Sequence, residues 1–121
     1  MIIQAILVSM GAMFGALSRW QIGVWLQPVF NHFHFGTLIA NLLGCFLIGI
    51  ALGLNLHDSH KLLFITGFLG SFTTFSTFSA EISTKILEDK WLHAINILGL
   101  HLVLGIVATV FGLWISRVIS G

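Results

Sequence analysis

Four apolar stretches dominate this sequence, and each is long enough to cross a lipid bilayer. They run over about residues 2–26, ending before Pro28, and then 35–56, 62–87 and 92–119. A helix needs roughly 20 mostly apolar residues to span the hydrocarbon core. The connections are short: QPVFNHFH, HDSHK and EDKW. Short connections make consecutive helices antiparallel neighbours. The pattern therefore predicts an all-α membrane protein, one four-span transmembrane domain over 1–121. Composition agrees: 7% of the residues are charged and 57% hydrophobic. A soluble domain covers its surface with about 25% charged residues. The first stretch has no basic region ahead of it and runs on at full length, so it reads as a retained span rather than a cleaved signal.

Several function classes fall away. A net charge of +1 with five Lys or Arg is no footprint for nucleic acid, which needs a basic face. One cysteine, Cys45, excludes an internal disulfide, and inside an apolar run it reads as a small packing residue. The pairs His32 and His34, and His57 and His60, sit in connections and lack the four-ligand set of structural zinc. Asp58, Glu88 and Asp89 also sit in connections. There is no nucleophile elbow, no phosphate-cradling glycine loop and no paired carboxylates, so an enzyme is not expected.

Small residues four apart let helix backbones approach closely in lipid. Gly11 and Gly15 are so placed on the first span, and Gly36, Ala40 and Gly44 on the second, followed by Gly49 and Gly53. Packing accounts for most of them, and association with another copy is a second use. Orientation is normally set by a Lys/Arg excess on the cytoplasmic side. Here Lys61 and Arg117 fall on one side and Lys85, Lys90 and Arg19 on the other, almost without bias. Two readings stand: dual topology with an antiparallel dimer whose two-fold axis lies in the membrane plane, or one orientation set by a weak bias.

The third span carries the main anomaly, Gly67-Phe-Leu-Gly70-Ser-Phe-Thr73-Thr74-Phe75-Ser76-Thr77-Phe78-Ser79. Glycines followed by β-branched and hydroxyl residues weaken helix continuity. Irregular backbone at bilayer depth is tolerated only where protein or water satisfies it. The sequence thus predicts a break near Gly70 to Thr74 with carbonyls turned inward. In an antiparallel dimer two such breaks would face each other, and four carbonyls would make an oxygen-only site for a hard monovalent cation such as Na⁺. A Ser/Thr-rich span also serves as ordinary interhelical glue.

Around that span lie other candidates. Phe75 and Phe78, three apart, share a helix face. Such a pair is usually core, but ring edges are electropositive and favour an anion weakly, as conduction requires. Asn41 lies mid-span with two amide donors, for an interhelical hydrogen bond or for an anion in transit. Thr37 is one turn earlier on the same face. Arg19 and Glu81, near span ends, are candidates to pair at the membrane edge, where a cation would recruit anions; snorkelling accounts for each singly. His101, inside the fourth span, reads as a hydrogen-bonded structural residue.

At these residues the sequence resembles the Fluc/CrcB family of fluoride channels over essentially its whole length. Gly11-x-x-x-Gly15-Ala16-x-x-Arg19-Trp20 is similar to the family's first-span motif, with Trp where Tyr is common. Gly36-Thr37-Leu38-x-x-Asn41-x-x-Gly44 resembles the second-span motif. Gly67-Phe68-x-Gly70-x-x-Thr73-Thr74-Phe75-Ser76-Thr77-Phe78-Ser79-x-Glu81 resembles the third, the most specific of the three.

The resemblance implies a fluoride-selective passive channel exporting cytoplasmic fluoride across a bacterial inner membrane. It implies a dual-topology homodimer with two antiparallel pores and a central structural Na⁺ held by the carbonyls of Gly70 and Thr73. It makes Phe75 and Phe78 the aromatic pair of each pore and Asn41 the pore amide. Ser76, Thr77, Ser79 and Thr37 become polar groups near the pathway, and Arg19 and Glu81 vestibule residues. The fourth span departs from the pattern: it has no internal Ser before Ser116, which leaves Thr109 for any hydroxyl there. The alternative is a small multidrug-type proton-coupled exporter, also of four spans. Such a transporter needs a carboxylate in the first span, and this one has none. A non-conducting scaffold subunit would explain the glycines but not the hydroxyl cluster.

Overall fold

The computed structural model describes residues 1–26 and 35–120. The first connection, with Pro28, His32 and His34, lies outside the described residues. The described chain is helical: α1 Ile2–Leu26, α2 Phe35–Gly53, α3 Asp58–His60, a π-helix Lys61–Leu69, α4 Gly70–Phe72, α5 Phe75–Leu87 and α6 Trp91–Ser120. Elements α3 to α5 together form the third span, so four helical segments are long and apolar enough to cross a membrane.

Helix limits differ from the expected ones mainly around the second connection. The second span ends at Gly53 rather than 56, and the third begins at Asp58 rather than 62. Asp58 is therefore the acid in the first turn of a helix, not a connection residue. A carboxylate there suits the positive end of the helix dipole. After Asp58–His60 the chain widens, and the Gly70 N–H reaches back five residues to the Ile65 carbonyl. π-Helical turns are rare and tend to mark functional segments. The turn from α5 to α6 is made by Asp89 at φ 60, with Glu88 between Lys85 (3.9 Å) and Lys90 (3.4 Å).

The bundle is two tightly packed pairs. α1 lies against the π-helix and α4, and α2 lies against α6. Glycine makes both approaches possible. A Cβ on Gly11 would fall on the Leu63 carbonyl, and one on Gly15 on the Phe68 carbonyl. In the other pair a Cβ on Gly49 would meet the Thr109 carbonyl, and one on Gly112 the Phe46 carbonyl. Gly53 rests on Ser116, whose hydroxyl donates to the Ile50 carbonyl at 2.6 Å and is only 1% exposed. The stripes Gly11/Gly15 and Gly49/Gly53 are thus used up inside one chain, since lipid offers no hydrophobic drive and close backbone packing must replace it.

The interior is small. Leu38, Ala40, Leu69, Phe72, Phe78, Ala94 and Ile97 are its buried apolar side chains among the described residues. Large apolar side chains such as Ile3, Phe14, Leu92, Val103 and Trp114 cover the outside instead. In water such a surface would aggregate; in a bilayer it is the solvated face. The chain is a multi-pass membrane protein.

Candidate functional site

The third span breaks at two residues. Thr73 (φ −88°, ψ 154°) and Thr74 (φ −148°, ψ 118°) are extended, between the one-turn α4 and the start of α5. Local chemistry ends one helix and starts the next. The Thr73 hydroxyl donates to the Leu69 carbonyl at 2.9 Å, a carbonyl that the Thr73 N–H also reaches at 3.1 Å. Thr74 caps α5: its hydroxyl oxygen accepts from the Thr77 N–H at 3.3 Å. Threonine is among the preferred N-cap residues because its oxygen satisfies a donor with no intrahelical partner.

Two other helices hold the break open. The Asn41 side-chain oxygen accepts from the Thr74 N–H at 2.8 Å, and its NH₂ donates to the Thr74 carbonyl at 3.1 Å. One amide from α2 thereby takes up the Thr74 N–H and adds a contact at the Thr74 carbonyl. The Arg19 Nε donates to the Ser71 carbonyl at 3.1 Å. Gly44, one turn along from Asn41, lets α2 approach close enough, since a Cβ there would meet the Thr73 methyl.

These diversions strip two carbonyls of their usual partners. In an α-helix the Gly70 carbonyl would receive the Thr74 N–H, and the Thr73 carbonyl the Thr77 N–H. The first goes to Asn41 and the second to the Thr74 hydroxyl. Gly70 is moreover exposed on the single chain. Among the described residues no three His, Cys, Asp or Glu group to hold a metal, so a cation at this level would depend on backbone oxygens.

The break opens onto a cavity of about 480 Å³, lined among others by Asn41, Gly70, Thr73, Thr74, Phe75 and Phe78. Phe75 and Phe78 meet edge-on, centroids 5.6 Å apart at 63°. Phe78 is 9% exposed, whereas Phe75 is 77% exposed. His101 and Cys45 line the same cavity. The His101 ring lies 4.2 Å from that of Phe78, and its Nδ1 donates to the Ile97 carbonyl at 3.0 Å. Its Nε2 is buried without a hydrogen-bond partner among the described residues. Nothing local to either residue joins His101 to Phe78; the available signal was that an ionisable group inside a span is rarely idle.

A second, smaller cavity of about 250 Å³ is lined by Thr77, Ala80, Glu81, Thr84 and Lys85. Thr77 thus sits between the break and this second space, its hydroxyl accepting from that of Thr74 at 3.3 Å. Ser76 is exposed, its hydroxyl 3.2 Å from the Thr74 hydroxyl. Ser79 is exposed and Thr37 half-buried, and neither lines these two cavities. The Thr109 hydroxyl is turned back to the Gly105 carbonyl of its own helix at 3.0 Å. Lys85, in the sequence one positive charge among five, lies at this second cavity.

Residues 6–113 match the family described as CrcB-like protein, Camphor Resistance (CrcB). Curated relatives carry the name fluoride-specific ion channel FluC. The protein of that name from Haemophilus ducreyi is 54% identical over 112 residues, covering 93% of this chain and 90% of the relative. That from Haemophilus influenzae strain PittGG is 47% identical over 123 residues, covering 97% and 96%. That from Pasteurella multocida is 44% identical over 119 residues, covering 94% and 93%.

Proposed function

We propose that this chain, which belongs to the CrcB-like family, forms a passive fluoride-selective channel that lets fluoride out of the cell across a bacterial inner membrane. The observation that carries the reading is the near-full-length match to proteins named fluoride-specific ion channels. The family is not enzymatic, and the exporter alternative loses its footing with membership in it.

The physics of the ion fits the groups around the break. Fluoride is small and strongly hydrated, so a pathway must offer hydrogen-bond donors where water is removed. It must do so without a deep well, because a tight site would trap the ion. The Phe75 and Phe78 edges, the second hydrogen of the Asn41 NH₂ and the hydroxyls of Ser76, Thr77, Ser79 and Thr37 are such weak groups. Arg19 and Glu81 are the charged residues of the approach. The membrane potential, negative inside, drives an anion outward without any coupled reaction.

The cost of the break supports assembly as an antiparallel homodimer with two pores. Gly70 is exposed on one chain with its carbonyl diverted from its usual partner. An unsatisfied backbone group in lipid costs several kcal/mol. A second copy over this face would cover it, and would also cover the exposed Phe75 ring. The nearly even Lys/Arg distribution supports insertion in both orientations. The carbonyls of Gly70 and Thr73 fit a central Na⁺, being hard oxygen donors whose helical N–H partners are engaged elsewhere. Bound there, Na⁺ would supply the positive charge that satisfies them and ties the two copies together.

Purified protein in liposomes tests the reading. Fluoride efflux without a proton gradient, with chloride retained, is the expected result. Proton-coupled uptake of a cationic drug, or no flux at all, would overturn it.

A further inference from the structure

The end of the second connection and the start of the third span hold two histidines that neither the packing nor the pathway uses. His57 has extended backbone (φ −64°, ψ 155°), and His60 closes the single turn α3 before the chain widens into the π-helix. One helical turn separates them, and their rings lie 5.9 Å apart, centroid to centroid, at 59°. Both residues are exposed. Neither ring caps the helix beside it, and among the described residues neither makes a hydrogen bond or an ion pair. His101 differs on each count: it lies against Phe78 and is bonded to the Ile97 carbonyl.

Two free imidazoles at this separation have a specific chemistry. An imidazole nitrogen binds Zn²⁺ at about 2.0–2.1 Å. Each ring centre then lies about 3 Å from the ion, and two rings on one ion lie about 5–6 Å apart at bond angles from tetrahedral upward. The observed separation falls in that range, so small rotations of two exposed side chains bring both onto one ion. No third His, Cys, Asp or Glu joins them among the described residues. A bound ion would keep water at its remaining positions, unlike the closed four-ligand cage of structural zinc. Asp58 and Lys61, both exposed, flank the pair with opposite charges, so no net local charge opposes a cation. Hard cations take oxygen ligands, whereas imidazole suits Zn²⁺, Cu²⁺ and Ni²⁺.

We propose that His57 and His60 form a surface chelate for one transition-metal cation of the Zn²⁺, Cu²⁺ and Ni²⁺ class. The ion ties the end of the second connection to the first turn of the third span. Neither residue lines the two cavities at the break and along α5, so the site stands independently of the channel reading.

Calorimetric titration of the full-length, tag-free protein in detergent with Zn²⁺ tests this. His57→Gln and His60→Gln are each expected to bind one Zn²⁺ fewer per chain than the wild type. The two substitutions together bring no further loss, because both rings hold one ion. Changing His93, or His32 together with His34, to Gln leaves this binding in place. Cu²⁺ binds the site more tightly than Zn²⁺ or Ni²⁺, and Mg²⁺ does not displace Zn²⁺. Saturating Zn²⁺ raises the unfolding temperature of the wild type more than that of either single variant. A wild-type protein that binds no Zn²⁺, or an unchanged stoichiometry in His57→Gln or in His60→Gln, overturns the proposal.

Discussion

The glycine seams and the helix break use the same small and hydroxylated residues to opposite ends. At the α2–α6 seam Gly49, Gly53 and Gly112 bring two continuous helices into backbone contact, and the Ser116 hydroxyl is buried against Ile50. Every feature there closes space. At the break, Gly44 again brings a helix close, but what it delivers is Asn41, which takes the Thr74 N–H out of the helix and donates to the Thr74 carbonyl. The Thr74 hydroxyl then starts a new helix instead of filling a gap. What separates the two regions is where the backbone partners go. The seam keeps them within each helix, and the break hands them to Asn41, Arg19 and Thr74.

Substitutions that exchange one behaviour for the other should show this contrast. The largest effect is expected at the seam. Gly112→Leu would push a side chain into the Phe46 carbonyl, where backbone rather than a flexible side-chain end must move. Overpacking costs about 1–3 kcal/mol and occasionally more, so this variant should yield no properly assembled protein by size-exclusion chromatography in detergent. Asn41→Asp strikes the break. It replaces the donor to the part-buried Thr74 carbonyl by an acceptor, and a hydrogen bond lost there is worth about 0.5–1.5 kcal/mol. A lower unfolding temperature and a strong loss of fluoride efflux should follow together. Phe75→Ile and Phe78→Ile remove ring edges but no backbone partner, so each should cut efflux strongly while the assembly persists on the same column. The smallest effect belongs to Gly99→Ala. No neighbour lies within reach of a Cβ there, and alanine favours a helix over glycine by about 1 kcal/mol; efflux should be unchanged and stability equal or slightly higher.

Much of this was legible in the sequence. Four spans followed from length and hydropathy, and the interruption of the third from Gly67, Gly70 and the run of hydroxyls after them. The stop itself, at Thr73 and Thr74, needed knowledge of partners. Asn41 and Thr74 are 33 residues apart, and nothing local to either marks the bidentate pairing. The amide could equally have been free for an ion or bonded to another helix. The π-helical winding of Lys61–Leu69 was illegible for a similar reason. That segment packs backbone to backbone against Gly11 and Gly15 of α1, residues about fifty positions away that no local pattern joins to it. Lys85 read as one charge among five, because its burial and the pull of Lys90 on Glu88 are matters of spatial arrangement.

Whether fluoride passes beside the broken span can be read from one residue of each kind in a single experiment. Fluoride efflux would be measured for Phe78→Ile at the break and for Gly99→Ala on α6, each reconstituted at equal density beside the wild type. A strong loss is expected for Phe78→Ile and the wild-type rate for Gly99→Ala. Wild-type efflux through correctly assembled Phe78→Ile would contradict that expectation, because fluoride would then be crossing somewhere other than beside the broken span.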